Sequence, residues 1–156
     1  MIEKDIKMSQ LKWDKHFLKL CHAVADKSKD PSTKSGAVLV NQDNELILSG
    51  FNGFPRGVED AEERLNDRSL KYPLVVHAEA NCIAIAAKNG IRTNGTKLYV
   101  NWYPCNECAK LIVQAGINEV IIDKKYNTPE RQERWGDAIK FAKIIFGEGK
   151  VVVRSI

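Results

Sequence analysis

Apolar side chains at Trp13, Phe17, Leu20, Cys21 and Val24 recur at three- and four-residue spacing, which predicts an amphipathic helix over roughly residues 11–27. The next stretch, SKDPSTKSG (28–36), breaks that period and reads as a loop. AVLVNQDNELILSGF then carries two β-rich runs around the polar Asn41–Asn44, the pattern of a hairpin. A long Gly-, Pro- and charge-rich connection follows, NGFPRGVEDAEERLNDRSLKYP, whose middle, Glu59 to Leu70, reads as a short helix. A connection of this length inside a compact domain is usually functional or mobile. VVHAEANCIAIAAKNG (Val75 to Gly90) is a run of good helix formers with a polar start. NGTKLYVNW supplies a turn and a third strand. Asn106 to Ala115 forms a further helix with Gly116 as its C-cap, and EVIID a fourth strand. Pro129 to about Phe146 is the last helix, with Trp135, Ile139, Ala142 and Ile145/Phe146 on one face, and KVVVRSI is the last strand. After the hairpin the order is strand, helix, strand, helix, strand. That order predicts an α/β layered fold with one mixed sheet.

The 156 residues are enough for one ordinary domain and too few for two, so 1–156 is read as a single domain. At 44% hydrophobic and 28% charged, the chain has the composition of a soluble globular protein. Its net charge of +4 is mildly basic, with no Lys/Arg block of the kind that marks a nucleic-acid or membrane surface. No apolar run reads as a secretory signal or a membrane helix, which points to the cytoplasm.

In that setting four cysteines argue for metal binding or catalysis rather than disulfides. Cys21 and Cys82 sit inside apolar helical patterns and read as small buried hydrophobes. Cys105 and Cys108 differ. They lie three positions apart at the start of a helix, preceded by Pro104, where two thiols can converge on one ion and the helix N-terminus favours thiolate. A redox pair is the competing reading of a lone C-x-x-C. Adding His77, at the start of another helix, makes a set of one nitrogen and two sulfurs with the fourth tetrahedral position open, the form of a catalytic zinc site. His16 and His22, on the first helix, read as surface or packing residues.

Glu79 stands two residues beyond His77. On a helix it points to another side, so it need not be a ligand, yet its carboxylate can reach the open position and move a proton. Alone it would read as an acidic residue complementing the helix dipole. Together the residues match the H-x-E…P-C-x-x-C signature of zinc deaminases.

On these motifs the chain resembles the cytidine deaminase superfamily, and its dCMP deaminase branch in particular. The resemblance runs from about Trp13 to Tyr126 through SKDPSTKSGAVLV, GFNGFPRG, KYPLVVHAEANCIAI, YPCNECAKLIVQAGINEVII and DKKYN. It implies a cytidine deaminase-like three-layer sandwich, with a five-stranded mixed sheet flanked by helices. It implies zinc, one per chain, on His77, Cys105 and Cys108, with water attacking cytosine C4 and Glu79 protonating N3 and then the leaving amine. The backbone around Ala78 and Tyr103 would hold the base edge. Asn52 would meet the deoxyribose 3′-hydroxyl, and Tyr126 would lie against the nucleotide. Asn52 also reads as a turn residue and Tyr126 as packing.

A nucleotide needs a phosphate clamp. Ser28 and Lys29 are the candidates, with Arg56 and Lys125 behind them, although loop charges are commonly only solvated. The family further implies homohexamers that supply dUMP for thymidylate synthesis, activated by dCTP with Mg2+ and inhibited by dTTP, the effector lying near Asn52, Gly53 and Arg56. The chain has GVED after Arg56 and lacks there the Cys/His cluster with which some members hold a second zinc.

Two other readings compete. One is a different superfamily enzyme, acting on tRNA adenosine or on free cytidine. Glu107 inside P-C-x-x-C, the histidine ligand and the long loop after Gly53 favour the nucleotide enzyme. The other is a non-catalytic nucleotide-sensing zinc domain, which predicts loss of the carboxylate or a fourth ligand.

Overall fold

The structure, a computed structural model, describes residues 2–126 and 128–156, with side chains from residue 7 onward. Asn127, the last residue of the DKKYN motif, lies outside the described residues. The elements run α1 (Ile2–Ala25), β1 (Gly36–Val40), β2 (Leu46–Phe51), α2 (Glu62–Asn66), α3 (Arg68–Leu74), α4 (Ala78–Asn89), β3 (Lys97–Val100), α5 (Asn106–Gln114), β4 (Glu119–Ile122), a single 3₁₀ turn (Lys124–Tyr126), α6 (Pro129–Glu148) and β5 (Val152–Ser155). Strand order in the sheet is β2-β1-β3-β4-β5. The β1 strand pairs antiparallel with both β2 and β3, whereas β3–β4 and β4–β5 are parallel, so the sheet is mixed.

The period-2 geometry of the central strands divides the core in two. Ala37, Leu39, Leu98, Val100, Val120 and Ile122 face the layer that holds Cys82 of α4, Ile112 of α5 and Phe146 of α6. Val38, Val40, Tyr99 and Ile121 face α1 through Phe17, Leu18 and Cys21. The result is the layered α/β fold with one mixed sheet expected from the order of elements, in the three-layer form that the family resemblance implies. Its outer layers meet the sheet tightly. A Cβ at Gly36 would come within 2.0 Å of the Cys21 carbonyl oxygen, so only glycine lets α1 approach β1 this closely.

Three local expectations change. The first helix begins at Ile2 rather than near residue 11. Its first two turns hold only Ile2, Ile6 and Met8 among charged and polar residues, too sparse a pattern to extend the apolar period seen from Trp13 onward. Trp13, expected on the inner face, is 42% exposed, and Asp14 is fully buried in its place. That carboxylate accepts from the Tyr99 hydroxyl at 2.8 Å and from Gln10 Nε2 at 2.9 Å, and it pairs with Arg154, so its charge is met inside. Finally, the single short helix expected over 59–70 is two helices. They divide at Asp67, whose side chain accepts from Ser69 N and caps α3.

Candidate active site

His77 is the N-cap residue of α4 (φ −71°, ψ 157°), and Cys105 is the N-cap residue of α5 (φ −72°, ψ 170°). Each begins a helix after an extended segment. Val76, just before His77, forms an antiparallel bridge with Gly53, which anchors the long connection beside the site. Two helix N-termini therefore converge, each presenting the positive end of its dipole. Cys108, one turn into α5, is buried beside them.

His77 Nδ1 lies 3.4 Å from Cys105 Sγ and 3.5 Å from Cys108 Sγ. All three donor atoms fall within 4.8 Å of one another. A tetrahedral zinc with Zn–N of about 2.0–2.1 Å and Zn–S of about 2.3 Å sets nitrogen and sulfur about 3.6 Å apart, so the spacing fits that ion. The electrostatics agree. The Cys108 thiol and then His77 hold the Cys105 thiol far below the ordinary range, to about 4, against the opposing effect of burial. Cys108 is pushed up by the neighbouring Cys105 and by burial, and a divalent cation would favour the thiolate form of both. His77 is raised chiefly by its contact with Cys105.

Glu79 is only 4% exposed and lines the same cavity as His77 and Cys105. Burial pushes its carboxyl above the ordinary carboxylate range, and the His77 charge opposes that rise. A buried carboxyl beside the three donors is placed to accept and return a proton.

Around this floor the cavity is walled by Asn52, Tyr72, Trp102, Tyr103, Arg131 and Trp135, with Asp30 and Lys71 on one side. Asn52 spends its carboxamide on the wall itself: Oδ1 accepts from Ser35 N and Nδ2 donates to the Thr33 carbonyl, both at 2.8 Å. Ala78 is fully buried at the start of α4. The Tyr103 carbonyl accepts from Arg131 Nη2 at 3.1 Å.

The remaining expected contacts sit elsewhere. Ser28 is buried outside the cavity lining; its hydroxyl donates to the Asn52 carbonyl at 2.9 Å and accepts from Asp30 N. Lys29 points to solvent and pairs with Asp60 at 2.7 Å. Arg56 is exposed and Gly53 partly buried, both beyond the lining. Lys125 pairs with Asp123 at 3.4 Å. Tyr126 stands one layer back, its ring 4.8 Å from that of Trp102.

Sequence reasoning missed Lys71, Arg131, Arg134, Trp102 and Trp135. Arg131, Arg134 and Trp135 had a usable signal. Their i, i+3, i+4 spacing at the start of a helix capped by Thr128 puts two guanidinium groups and an indole on one face. Arg131 lies 4.2 Å above the Trp102 ring, and its buried Nε has no hydrogen-bond partner among the described residues. Lys71 left no signal, because a buried lysine is identified only by its partner.

An α/β sandwich whose two helix N-termini bring one imidazole and two thiols together beside a buried carboxyl is the architecture of a zinc-dependent deaminase domain. The model of the cytidine and deoxycytidylate deaminase zinc-binding region matches residues 11–124, and the chain belongs to that family. It is 41% identical over 145 residues to the deoxycytidylate deaminase of Mus musculus, covering 87% of this chain and 79% of that one. With the deoxycytidylate deaminase of Homo sapiens it shares 43% over 130 residues, covering 77% and 70%. The dCMP deaminase of cyanophage S-TIM5, in apo form, superposes with a TM-score of 0.72 over 93% of this chain and 98% of that one. At 22% identity that likeness speaks to the fold alone.

Proposed function

We propose that the protein hydrolyses dCMP to dUMP and ammonia. The observation that carries this reading is the convergence of His77, Cys105 and Cys108 beside the buried Glu79 in a cavity edged by arginines. His77 Nδ1, Cys105 Sγ and Cys108 Sγ would hold zinc, which when bound supplies Lewis-acid activation of water. Glu79 takes a proton from the attacking water and delivers it to cytosine N3. It then takes the second proton from the C4 hydroxyl and delivers it to the exocyclic amine, so that the C4–N bond breaks, ammonia leaves and C4 becomes a carbonyl. Trp102, Tyr103 and Trp135 line the site with apolar surface that excludes bulk water around the base. Ala78 and Tyr103 offer backbone to the base edge, and Asn52 faces the deoxyribose.

Arg131 and Arg134 are the phosphate partners in this reading. Both line the cavity, and neither has a carboxylate partner among the described residues, whereas Lys29 is already paired with Asp60. Burial lowers the Arg131 guanidinium to about 10, which leaves it cationic at neutral pH. A guanidinium can meet phosphate oxygens bidentately.

The family resemblance supports further proposals: that dUMP feeds thymidylate synthesis in the cytoplasm, that the chains form homohexamers, and that dCTP with Mg2+ activates and dTTP inhibits through Asn52, Gly53 and Arg56. A dCMP saturation curve unchanged by dCTP would remove the effector proposal.

The central test is ammonia release from dCMP, deoxycytidine and tRNA by the wild type and by Glu79→Gln. Turnover of dCMP alone, lost in the variant with zinc retained, is the expected result. Turnover that survives the substitution overturns the mechanism.

A further inference from the structure

An unbroken row of side chains runs from the end of α1 to the cavity. His22 Nε2 lies 3.0 Å from Asp123 Oδ2. The His22 ring stacks on Tyr126 at 5.1 Å and 27°. Tyr126 meets Trp102 edge-on at 4.8 Å and 64°. The Arg131 guanidinium lies over the Trp102 ring at 4.2 Å. Trp102 and Arg131 line the cavity; His22, Asp123 and Tyr126 do not.

Chemistry orders the first contacts. With its proton on Nε2, His22 donates to the Asp123 carboxylate and leaves Nδ1 as an acceptor for the Tyr126 hydroxyl. That last separation is 3.4 Å, long for a hydroxyl donor, so the ring stack rather than this bond carries the contact. Trp102 is tied on its other side, where its indole N–H donates to the Lys34 carbonyl at 3.2 Å. The indole therefore bridges the loop before β1 and the turn after β4. What holds the turn side is the Tyr126 ring, and what orients that ring is the imidazole anchored by Asp123.

We propose that His22 and Asp123 are positioning residues for this cavity, acting through Tyr126 to set the plane of Trp102 and thereby the Arg131 guanidinium that rests on it. The side chains transmit placement and take no proton from the substrate. In this arrangement Tyr126 serves the site from behind Trp102 rather than by touching the nucleotide. The proposal rests on the reading of the cavity as the dCMP site.

The test pairs kinetics with a readout that needs no substrate. His22→Ala and Asp123→Ala are each expected to raise KM for dCMP about tenfold with kcat within about twofold, the mark of lost positioning on a retained reaction. Asp123→Asn keeps an acceptor for Nε2–H and is expected to stay within about threefold of the wild type. In a Trp13→Phe, Trp135→Phe background Trp102 is the sole tryptophan. There His22→Ala should raise acrylamide quenching of its emission about twofold as its local packing loosens. An unchanged KM in both alanine variants overturns the proposal, whatever the emission does. So does a KM loss that Asp123→Asn fails to rescue. A wild type that does not deaminate dCMP defeats the earlier reading instead, and unchanged Trp102 quenching would then separately defeat the buttress.

Discussion

Lys71 Nζ donates to Asp30 Oδ1 at 3.0 Å and to Ser32 Oγ at 2.8 Å, with the two charged side chains only 5% and 7% exposed in the cavity wall. The same Oδ1 also accepts from the backbone N–H of Ser32 and of Thr33, so the charge is met by several donors. A buried pair is costly to break because the survivor keeps its charge without a partner. Lys71→Met is therefore expected to cost about 3–5 kcal/mol in urea unfolding. Adding Asp30→Asn should recover most of that loss. A double variant as unstable as the single one would show that Lys71 contributes by packing instead.

Arg131 gives a prediction on substrate choice. Arg131→Met keeps apolar contact with Trp102 and removes the charge. A hydrogen bond to a charged group contributes about 1.5–3 kcal/mol, so kcat/KM for dCMP should fall about 10- to 100-fold. The dCMP-to-deoxycytidine preference should fall with it. Equal losses on both substrates would move the phosphate contact elsewhere.

Metal removal should couple activity to stability. A preparation loaded with zinc is expected to contain about one ion per chain, to lose both ion and ammonia release on prolonged chelation, and to melt at lower temperature without it. Cys108→Ala should fail to retain zinc. Because His77 and the thiols must shed protons to bind a cation, zinc release should quicken as pH falls. Elemental analysis at several pH values checks both points.

Acid stability should depend on Asp14. Burial alone would raise its carboxyl, but hydrogen bonds from Arg154, Gln10 and Tyr99 outweigh it and hold the group below its ordinary 3.8. A carboxyl depressed in the folded state contributes stability that is complete above the unfolded value and disappears as pH falls through the folded one. The urea midpoint should thus be level from neutral pH to about 5 and drop below about 4. Asp14→Asn should be weaker at neutral pH and show a shallower acid limb; an unchanged limb would assign acid sensitivity to other carboxyls.

Much of this molecule is legible in consecutive residues. The hairpin around Asn41–Asn44, α5 with Gly116 in the left-handed conformation after it, and α6 with three buried residues on one face all follow from spacing. So do the buried thiols of Cys21 and Cys82. Departures occur where a charge is neutralised at long range. Asp14 reads as polar surface until Tyr99 and Arg154 are beside it, and Lys71 as a solvated lysine until Asp30 is.

By itself, then, the sequence determined the β-rich and helical runs, their order after the hairpin, and the H-x-E and P-C-x-x-C donor sets, because periodicity, capping and ligand type belong to neighbouring residues. Tertiary structure decided which donors meet and what surrounds them. It set the Nδ1 of His77 within 3.5 Å of both thiols, brought Arg131 from the start of α6 over Trp102, and withdrew Ser28, Lys29 and Tyr126 from the cavity lining. Those pairings join residues distant along the chain. Their energies come from burial and from charges that the packed sheet and helices alone bring together, and no local period encodes them.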